Sequence, residues 1–211
     1  MTNSKLTFWF DFASTYSYLA AMRIQTLATR ENVEIIWRPF LLGPIFKSQG
    51  LETSPFNVFE VKGRHVWRDL ERQANYYDLP AFTKPEPFPQ NGLIPARIAA
   101  HKAAEPWAVE FIKAIFVAQF TQSASITDEL IIGVLSDLEQ DGENLLNQAK
   151  TDQSVKDKLR QATEEAQSMG LFGAPSFITD DGELFWGNDR LEQALDWTKK
   201  PQTFLSEAYI K

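Results

Sequence analysis

The sequence predicts an α/β domain in which a βαβ unit and a ββα unit are separated by a large all-helical insertion. Three observations support this. A strand–helix–strand pattern fills the first forty residues, helical periodicity dominates the middle of the chain, and two short strand patterns and a helix follow Pro175. With 211 residues and 44% hydrophobic content, the chain is long enough to bury a full core.

The N-terminal βαβ unit begins with an aromatic strand. Residues Leu6–Phe12 (LTFWFDF) form an apolar run that ends at a turn. A helix is predicted from about Ser14 to Arg30, and Val33–Pro39 forms a second short strand that a proline ends. A strand, a helix and a strand in this order imply a parallel pair with a right-handed crossover.

The middle of the chain has a different character. Residues 41–92 are rich in Pro, Gly and polar groups, and Pro80–Gly92 is predicted to be a loop. Helical patterns occur at four places: around Val58–Tyr77, at Pro106–Thr121, after a Thr127 cap, and from Thr151 to a stop at Gly170. We therefore expect a sheet domain made of residues 1–42 and 171–211, and a helical insertion domain made of residues 43–170.

The C-terminal ββα unit follows Pro175. Strands Ser176–Thr179 and Glu183–Trp186 flank an Asp-Asp-Gly turn, which is a strong hairpin pattern. Asp189 is then predicted to cap the last helix, with Glu192 completing a capping box.

Pro175 and Ser14 suggest where the chemistry takes place. A strand that opens with X-Pro-Ser and an apolar residue after a long helix is the usual place for a cis-proline in thioredoxin-like folds, so Ala174-Pro175 is predicted to be cis. In such folds the loop before this proline faces the start of the first helix, where a reactive sulfur sits. Ser14 stands at that helix start and the chain has no cysteine, so the sulfur must arrive on a ligand.

Ser14 has two compatible roles at this position. Serine is favoured as an N-cap because its hydroxyl accepts a bond from a backbone N–H that would otherwise be unpaired. The same hydroxyl, together with a helix N-terminus that favours negative charge, could stabilise a bound thiolate and lower the thiol pKa below about 8.5.

Composition excludes several classes of function. The absence of cysteine removes disulfides, thiolate metal sites and a Cys-x-x-Cys redox motif, and two histidines argue against a His-rich metal site or a Ser-His-Asp triad. We expect His65 and His101 in ordinary polar surroundings. A net charge of −7 argues against a nucleic-acid partner. Without a long apolar run or a signal-peptide pattern, the sequence predicts a cytoplasmic protein with no membrane association.

Three segments together carry a resemblance to a known family. They are FDFASTYSY at 10–18, FGAPSF at 172–177 and FWGNDRL at 185–191. They resemble the 2-hydroxychromene-2-carboxylate isomerases and the kappa-class glutathione transferases, which are relatives of the disulfide oxidoreductase DsbA, and the resemblance extends over nearly the whole chain. The family often has Ser-Pro where this chain has Ser14-Thr15, which removes a preorganised first helical turn but leaves the hydroxyl in place.

The resemblance implies an isomerase that uses glutathione as its cofactor. Ser14 would be the catalytic residue that stabilises the glutathione thiolate, which adds reversibly to 2-hydroxychromene-2-carboxylate or a similar intermediate of aromatic degradation. The backbone of Ala174, just before Pro175, would pair with the cysteinyl amide like an added strand. The γ-glutamyl end would be held by four successive residues, Trp186, Gly187, Asn188 and Asp189.

The small aromatic carboxylate that the resemblance implies as substrate needs local positive charge in an acidic protein. Lys47, in the loop expected to cover the site, is the first candidate. Further candidates are the substrate-binding pair Asn57 and Asn91 and the weaker cations Lys62, Arg64 and Arg68. A kappa-like transferase that conjugates glutathione to electrophiles and a non-catalytic glutathione-binding protein remain alternatives. Family behaviour also suggests a homodimer.

Overall fold

A four-stranded mixed sheet forms the centre of the protein. The computed structural model describes residues 4–51 and 58–200. The strands are β1 (Ser4–Phe10), β2 (Val33–Pro39), β3 (Ser176–Thr179) and β4 (Leu184–Trp186). Their order is β2-β1-β3-β4, with β1 parallel to β2 and antiparallel to β3, and β3 antiparallel to β4. The predicted βαβ and ββα units are confirmed, and together they form a thioredoxin-like sheet.

The described residues contain nine α-helices. They are α1 (Thr15–Glu31), α2 (Leu42–Ser48), α3 (Glu60–Tyr76), α4 (Leu93–His101), α5 (Ala108–Thr121), α6 (Asp128–Asp137), α7 (Gly142–Thr151), α8 (Gln153–Ser168) and α9 (Leu191–Lys199). Helices α2 to α8 lie between β2 and β3 in the chain, as the predicted helical insertion requires. The division into two domains at residues 43 and 170 stays a prediction.

Three helices were absent from the predicted set. They are α2, α4 and α7, which are all ten residues or shorter and therefore give little periodic signal. The prediction that a helix starts at Thr151 was wrong, because Thr151 ends α7. Asp152 caps α8 instead, and its side chain accepts a hydrogen bond from the Ser154 N–H at 2.7 Å. Strand β1 also ends two residues earlier than predicted, at Phe10.

The predicted capping box at the last helix was also wrong. A 3₁₀ turn at Asn188–Arg190 separates β4 from α9, which begins at Leu191 without a side-chain cap. Glu192 instead forms an ion pair with Arg23 of α1. This pair ties the C-terminal helix to the first helix.

Aromatic packing on β1 fixes the end of this strand and the start of α1. Phe8 stacks on Phe177 of β3 with ring centroids 5.4 Å apart, and Phe10 and Phe12 both contact Phe116 of α5. On the opposite face of the sheet, Trp9 packs in a second cluster with buried residues of α2 and α8. Among the residues that the structure describes, no helix combines the length and the apolar character needed to cross a lipid bilayer.

Candidate functional site

Ser14 connects the start of α1 to the loop before β3. Its Oγ accepts a hydrogen bond from the Ser17 N–H at 3.1 Å, which confirms the predicted N-cap. The same hydroxyl donates to the Ala174 carbonyl at 3.0 Å, across 160 residues of sequence. The Ala174-Pro175 bond is cis, as predicted. The structure thus brings the two predicted segments together at one buried hydroxyl.

The backbone around Ser14 offers unpaired N–H donors. In the part of the chain that the structure describes, the Thr15 and Tyr16 N–H groups at the start of α1 have no acceptor, and neither has the Ala174 N–H. Unpaired N–H groups at a helix N-terminus carry partial positive charge and favour an anion. The Ala174 N–H can pair with an extended peptide in the way that an edge strand of a sheet does.

Asp11 lies beneath this junction and is 5% exposed. Its carboxylate accepts hydrogen bonds from the Ala13 N–H at 2.8 Å and from the Leu42 N–H at 2.6 Å. Burial raises the pKa of Asp11 above its ordinary value, although both backbone bonds act in the opposite direction. Asp11, Ser14 and Ala174 are called the floor of the site below.

A cavity of about 800 Å³ opens above this floor. Its walls come from α2, from α3, from residues 88–93, from the Phe172–Ala174 loop and from Trp186 of β4. They are largely apolar, with side chains of Leu41, Leu42, Pro44, Phe46, Val66, Phe88, Pro89, Leu93, Phe172 and Trp186. An apolar cavity of this size with a few convergent polar groups is typical of a small-molecule site.

One side of the cavity is formed by α3. Lys62, His65 and Val66 line it, and this set is called the α3 wall below. The Lys62 and His65 side chains are exposed, and Lys62 has no ion-pair partner among the described residues. His65 was expected in ordinary polar surroundings without a role in the site, and the structure places its exposed side chain on the cavity lining. Lys62 precedes His65 by three residues and Val66 by four, and this spacing was the available signal because it places both residues on the helix face of Lys62.

Tyr16 of α1 also lines the cavity, although we did not predict it as a site residue. Its hydroxyl donates to Asp69 of α3 at 2.9 Å, and Asp69 also accepts bonds from Arg72 and Gln73. Burial and the neighbouring Asp69 raise the pKa of Tyr16 well above its usual range, so the phenol stays neutral. Partial burial disfavours the charged form of Asp69, but the three hydrogen bonds outweigh it and lower the pKa of that carboxyl.

The four residues predicted to hold the γ-glutamyl end, 186–189, differ in their exposure and in their contacts. Trp186 is half exposed, lines the cavity and contacts Phe172 with ring centroids 4.9 Å apart. Gly187 has φ +106°, a conformation that side chains rarely adopt, and an added Cβ would lie 2.5 Å from the Asp189 carboxylate. Asp189 is exposed and forms an ion pair with Arg190 at 3.0 Å.

Asn188, by contrast, is buried and its side chain has structural partners. Its Oδ1 accepts a bond from Arg23 at 2.8 Å, and its Nδ2 donates to Gln73 at 2.9 Å. These bonds join α1, α3 and the 3₁₀ turn, so the Asn188 side chain serves the packing of three elements. Its carbonyl also accepts bonds from Arg23 and from the Leu191 N–H, which leaves only the backbone N–H for a ligand.

The three predicted substrate-binding residues are placed differently. Lys47 lies on helix α2 and not in a loop, is exposed, and is absent from the cavity lining. Asn91 lines the cavity, and its Oδ1 accepts a bond from the Leu93 N–H at 3.0 Å. Asn57 lies outside the described residues. Of the weaker candidates, Lys62 lines the cavity, whereas Arg68 pairs with Glu71 and neither it nor Arg64 lines the cavity.

Known proteins share this architecture along most of the chain. Residues 5–197 match the model of the DSBA-like thioredoxin domain family. The chain is 31% identical over 189 residues to a 2-hydroxychromene-2-carboxylate isomerase from Sphingobium xenophagum, with 89% of this chain and 94% of the relative covered. It is 25% identical to glutathione S-transferase kappa 1 from Caenorhabditis elegans, with 94% and 92% covered. A solved structure of a 2-hydroxychromene-2-carboxylate isomerase superposes with a TM-score of 0.83 at 24% identity, covering 92% of this chain and 94% of that one.

Proposed function

We propose that this chain, which belongs to the DSBA-like thioredoxin domain family, is a glutathione-dependent isomerase of 2-hydroxychromene-2-carboxylate or a similar intermediate of aromatic degradation. Its relatives include 2-hydroxychromene-2-carboxylate isomerases and kappa glutathione transferases. The observation that carries this proposal is the Ser14 hydroxyl, held between the α1 N-terminus and the Ala174 carbonyl at the floor of the cavity. In a chain without cysteine, that position suits a thiolate supplied by a ligand.

The floor fits the cysteinyl part of glutathione. Ala174 offers an unpaired N–H and a carbonyl to a peptide, and cis-Pro175 follows directly. If a peptide N–H takes the Ala174 carbonyl, the Ser14 hydroxyl loses its present acceptor and can donate to an anion. Bound glutathione would supply the thiolate that adds reversibly to the substrate. Ser14 and the first N–H groups of α1 would stabilise that negative charge and exclude water from it.

Trp186, Gly187, the Asn188 backbone and Asp189 remain our candidates for the γ-glutamyl end. The exposed Asp189 carboxylate lies close enough to Tyr16 to raise its pKa electrostatically, as does Asp69. Two carboxylates on the same side of the site favour an ammonium group there. The Asp189–Arg190 pair is exposed and therefore weak enough to exchange for a ligand.

The α3 wall fits the substrate end of the cavity. Lys62 brings a positive charge without an ion-pair partner in the described residues, and the surrounding side chains are apolar. An aromatic carboxylate matches this combination, with its ring on the apolar walls and its anionic group near Lys62. We propose that Lys62, rather than Lys47, holds the substrate carboxylate, with His65 and Asn91 beside it.

Titration of glutathione tests the floor directly. We expect saturable calorimetric binding to the wild type, with a lowered thiol pKa visible as thiolate absorbance, and loss of that pKa shift in Ser14→Ala. Ser17→Ala is the matched control, because its buried hydroxyl lies in the same helical turn, has no hydrogen-bond partner among the described residues and does not line the cavity. No binding to the wild type, or an unchanged thiol pKa in Ser14→Ala, would contradict the proposal.

A kappa-like transferase is the second candidate, since relatives of both kinds match the chain. The two activities differ in their use of the thiol. An isomerase regenerates glutathione and turns over many substrate molecules per thiol, whereas a transferase consumes one thiol per product. Counting free thiols during turnover separates them. Binding without turnover of either kind would leave the non-catalytic glutathione-binding alternative, and a homodimer stays a prediction that light scattering can test.

A further inference from the structure

A second, smaller pocket of about 300 Å³ lies beside the large cavity. Its walls come from the segment after β2, from α4 and from α8. Leu41, Pro44 and Leu93 line both spaces, so a single layer of side chains separates the pocket from the cavity. The proposed function makes no use of this pocket.

Two cations without carboxylate partners converge on the pocket. Arg97 of α4 donates one N–H to the Ala149 carbonyl at 3.1 Å, which leaves four of its five N–H donors for other acceptors. Lys156 of α8 is half-buried. Within residues 4–51 and 58–200, neither cation forms an ion pair, and Lys156 has no side-chain hydrogen bond.

The other charged groups of the pocket compensate one another. Arg160 pairs with both Glu164 and Asp157, so its charge is compensated. The Thr163 hydroxyl is also committed, because it donates to the Leu159 carbonyl and accepts from the Leu41 N–H. The pocket therefore keeps an uncompensated positive charge in a chain whose net charge is −7.

Part of the lining of this smaller pocket is apolar. Leu159 is buried, and it lines the pocket together with Leu41 and Leu93, so aliphatic and cationic side chains share one lining. A simple inorganic anion would gain nothing from these leucines, whereas an amphiphilic anion would gain from both parts. The volume lies at the lower end of the range for small-molecule sites, about 300–1,000 Å³, which favours a ligand with one ring.

We propose that this pocket is a second binding site, for a small aromatic carboxylate whose ring lies on the leucines and whose carboxylate is held by Arg97 and Lys156. Because Leu41, Pro44 and Leu93 belong to both walls, a ligand in the pocket restricts the side chains that border the large cavity. The pocket is thus placed to couple the concentration of a small aromatic acid to the shape of the cavity.

Fluorine NMR with 4-fluorobenzoate at constant ionic strength tests this proposal. We expect two saturable binding events, one in the pocket and one in the large cavity. Lys156→Met should weaken the first about tenfold or more, because it removes a charged hydrogen-bond donor, and leave the second unchanged. Lys62→Met should do the opposite. Lys158→Met is the matched control, since this exposed lysine lies on the same helix but does not line the pocket.

Three results would overturn the proposal. They are unchanged binding in Lys156→Met, equal affinity for the uncharged 4-fluorobenzyl alcohol or for inorganic phosphate at this pocket, and the absence of any binding event beyond the one that depends on Lys62. Arg97→Met is a supporting variant only, because Arg97 also bonds the last turn of α7. If only the Lys62-dependent binding event were absent, the proposed substrate site would be contradicted, and the proposal for the second pocket would still stand.

Discussion

The floor and the α3 wall enclose the same cavity but are built in opposite ways. Asp11 and Ser14 are 5% and 8% exposed, and backbone groups of distant segments hold their polar atoms. On the α3 wall, Lys62 and His65 are exposed, and Lys62 has no ion-pair partner among the described residues. We therefore expect changes to the floor to affect stability and chemistry together, and changes to the exposed wall residues Lys62 and His65 to affect mainly the choice of ligand.

The largest expected effect is at Asp11, where fold and site depend on one side chain. Asp11→Ala leaves the Ala13 and Leu42 N–H groups without their acceptor, at about 1–3 kcal/mol each, so we expect a loss of about 3 kcal/mol of unfolding free energy. Urea unfolding measures it. Asp137→Ala, at an exposed carboxylate, should change stability by less than about 0.5 kcal/mol. Equal small losses in both variants would contradict the description of the floor.

The pH dependence of stability tests the role of Asp11 in a second way. Burial raises the pKa of Asp11 above its ordinary value of 3.8, so the folded protein keeps this proton to higher pH than the unfolded chain does. The stability of the wild type relative to Asp11→Asn should therefore fall as the pH rises from about 3.8 to the raised pKa, and stay constant above it. Unfolding at a series of pH values measures this difference. A difference that grows with pH would contradict the raised pKa.

On the α3 wall we expect an effect on binding without an effect on folding. Lys62→Met should raise the KM for an aromatic carboxylate about tenfold, with kcat and the melting temperature nearly unchanged, because one charged contact to the substrate is lost. Lys47→Met is the matched comparison, an exposed lysine outside the cavity lining. If Lys47→Met raised KM and Lys62→Met did not, the substrate carboxylate would lie outside the wall that we propose.

The smallest effect is expected at Thr127, which does not line the cavity. Thr127 caps α6 by accepting a bond from the Leu130 N–H at 3.2 Å. Thr127→Ala should lower stability by about 1 kcal/mol, or about 2–4 °C in melting temperature, without changing glutathione affinity or KM. Thermal unfolding and calorimetry measure both quantities. A fall in affinity would show that the helical insertion transmits strain to the site.

The sequence predicted the surroundings of Ser14 and Pro175 better than those of Lys47 for a physical reason. The Ser14 cap and cis-Pro175 depend on a few neighbouring residues, and such local patterns can be read from the chain. Helix α2 depends on a long-range bond, because its first N–H, at Leu42, is held by Asp11 thirty-one residues earlier. Sequence alone does not show this bond, so Lys47 was expected in a loop over the site.

Tyr16 and Asn188 illustrate the same limit. Tyr16 follows the spacing of a helix face, but its polar partner Asp69 lies 53 residues away. Asn188 sits in a motif that resembles a ligand-binding segment, yet its side chain bridges Arg23 and Gln73. In each case the role of the side chain is decided by which helices pack together, and residue spacing alone does not determine that.

If the site binds glutathione as we propose, the hydrogen bond from Ser14 to the Ala174 carbonyl competes with the incoming thiol. A small thiol without an amide, such as 2-mercaptoethanol, has no donor with which to displace the serine from that carbonyl. A peptide thiol brings its own N–H, takes over the carbonyl and so frees the hydroxyl for its sulfur. Such a site would select by exchange, and its discrimination between thiols would depend on an amide two bonds away from the carbon that bears the sulfur.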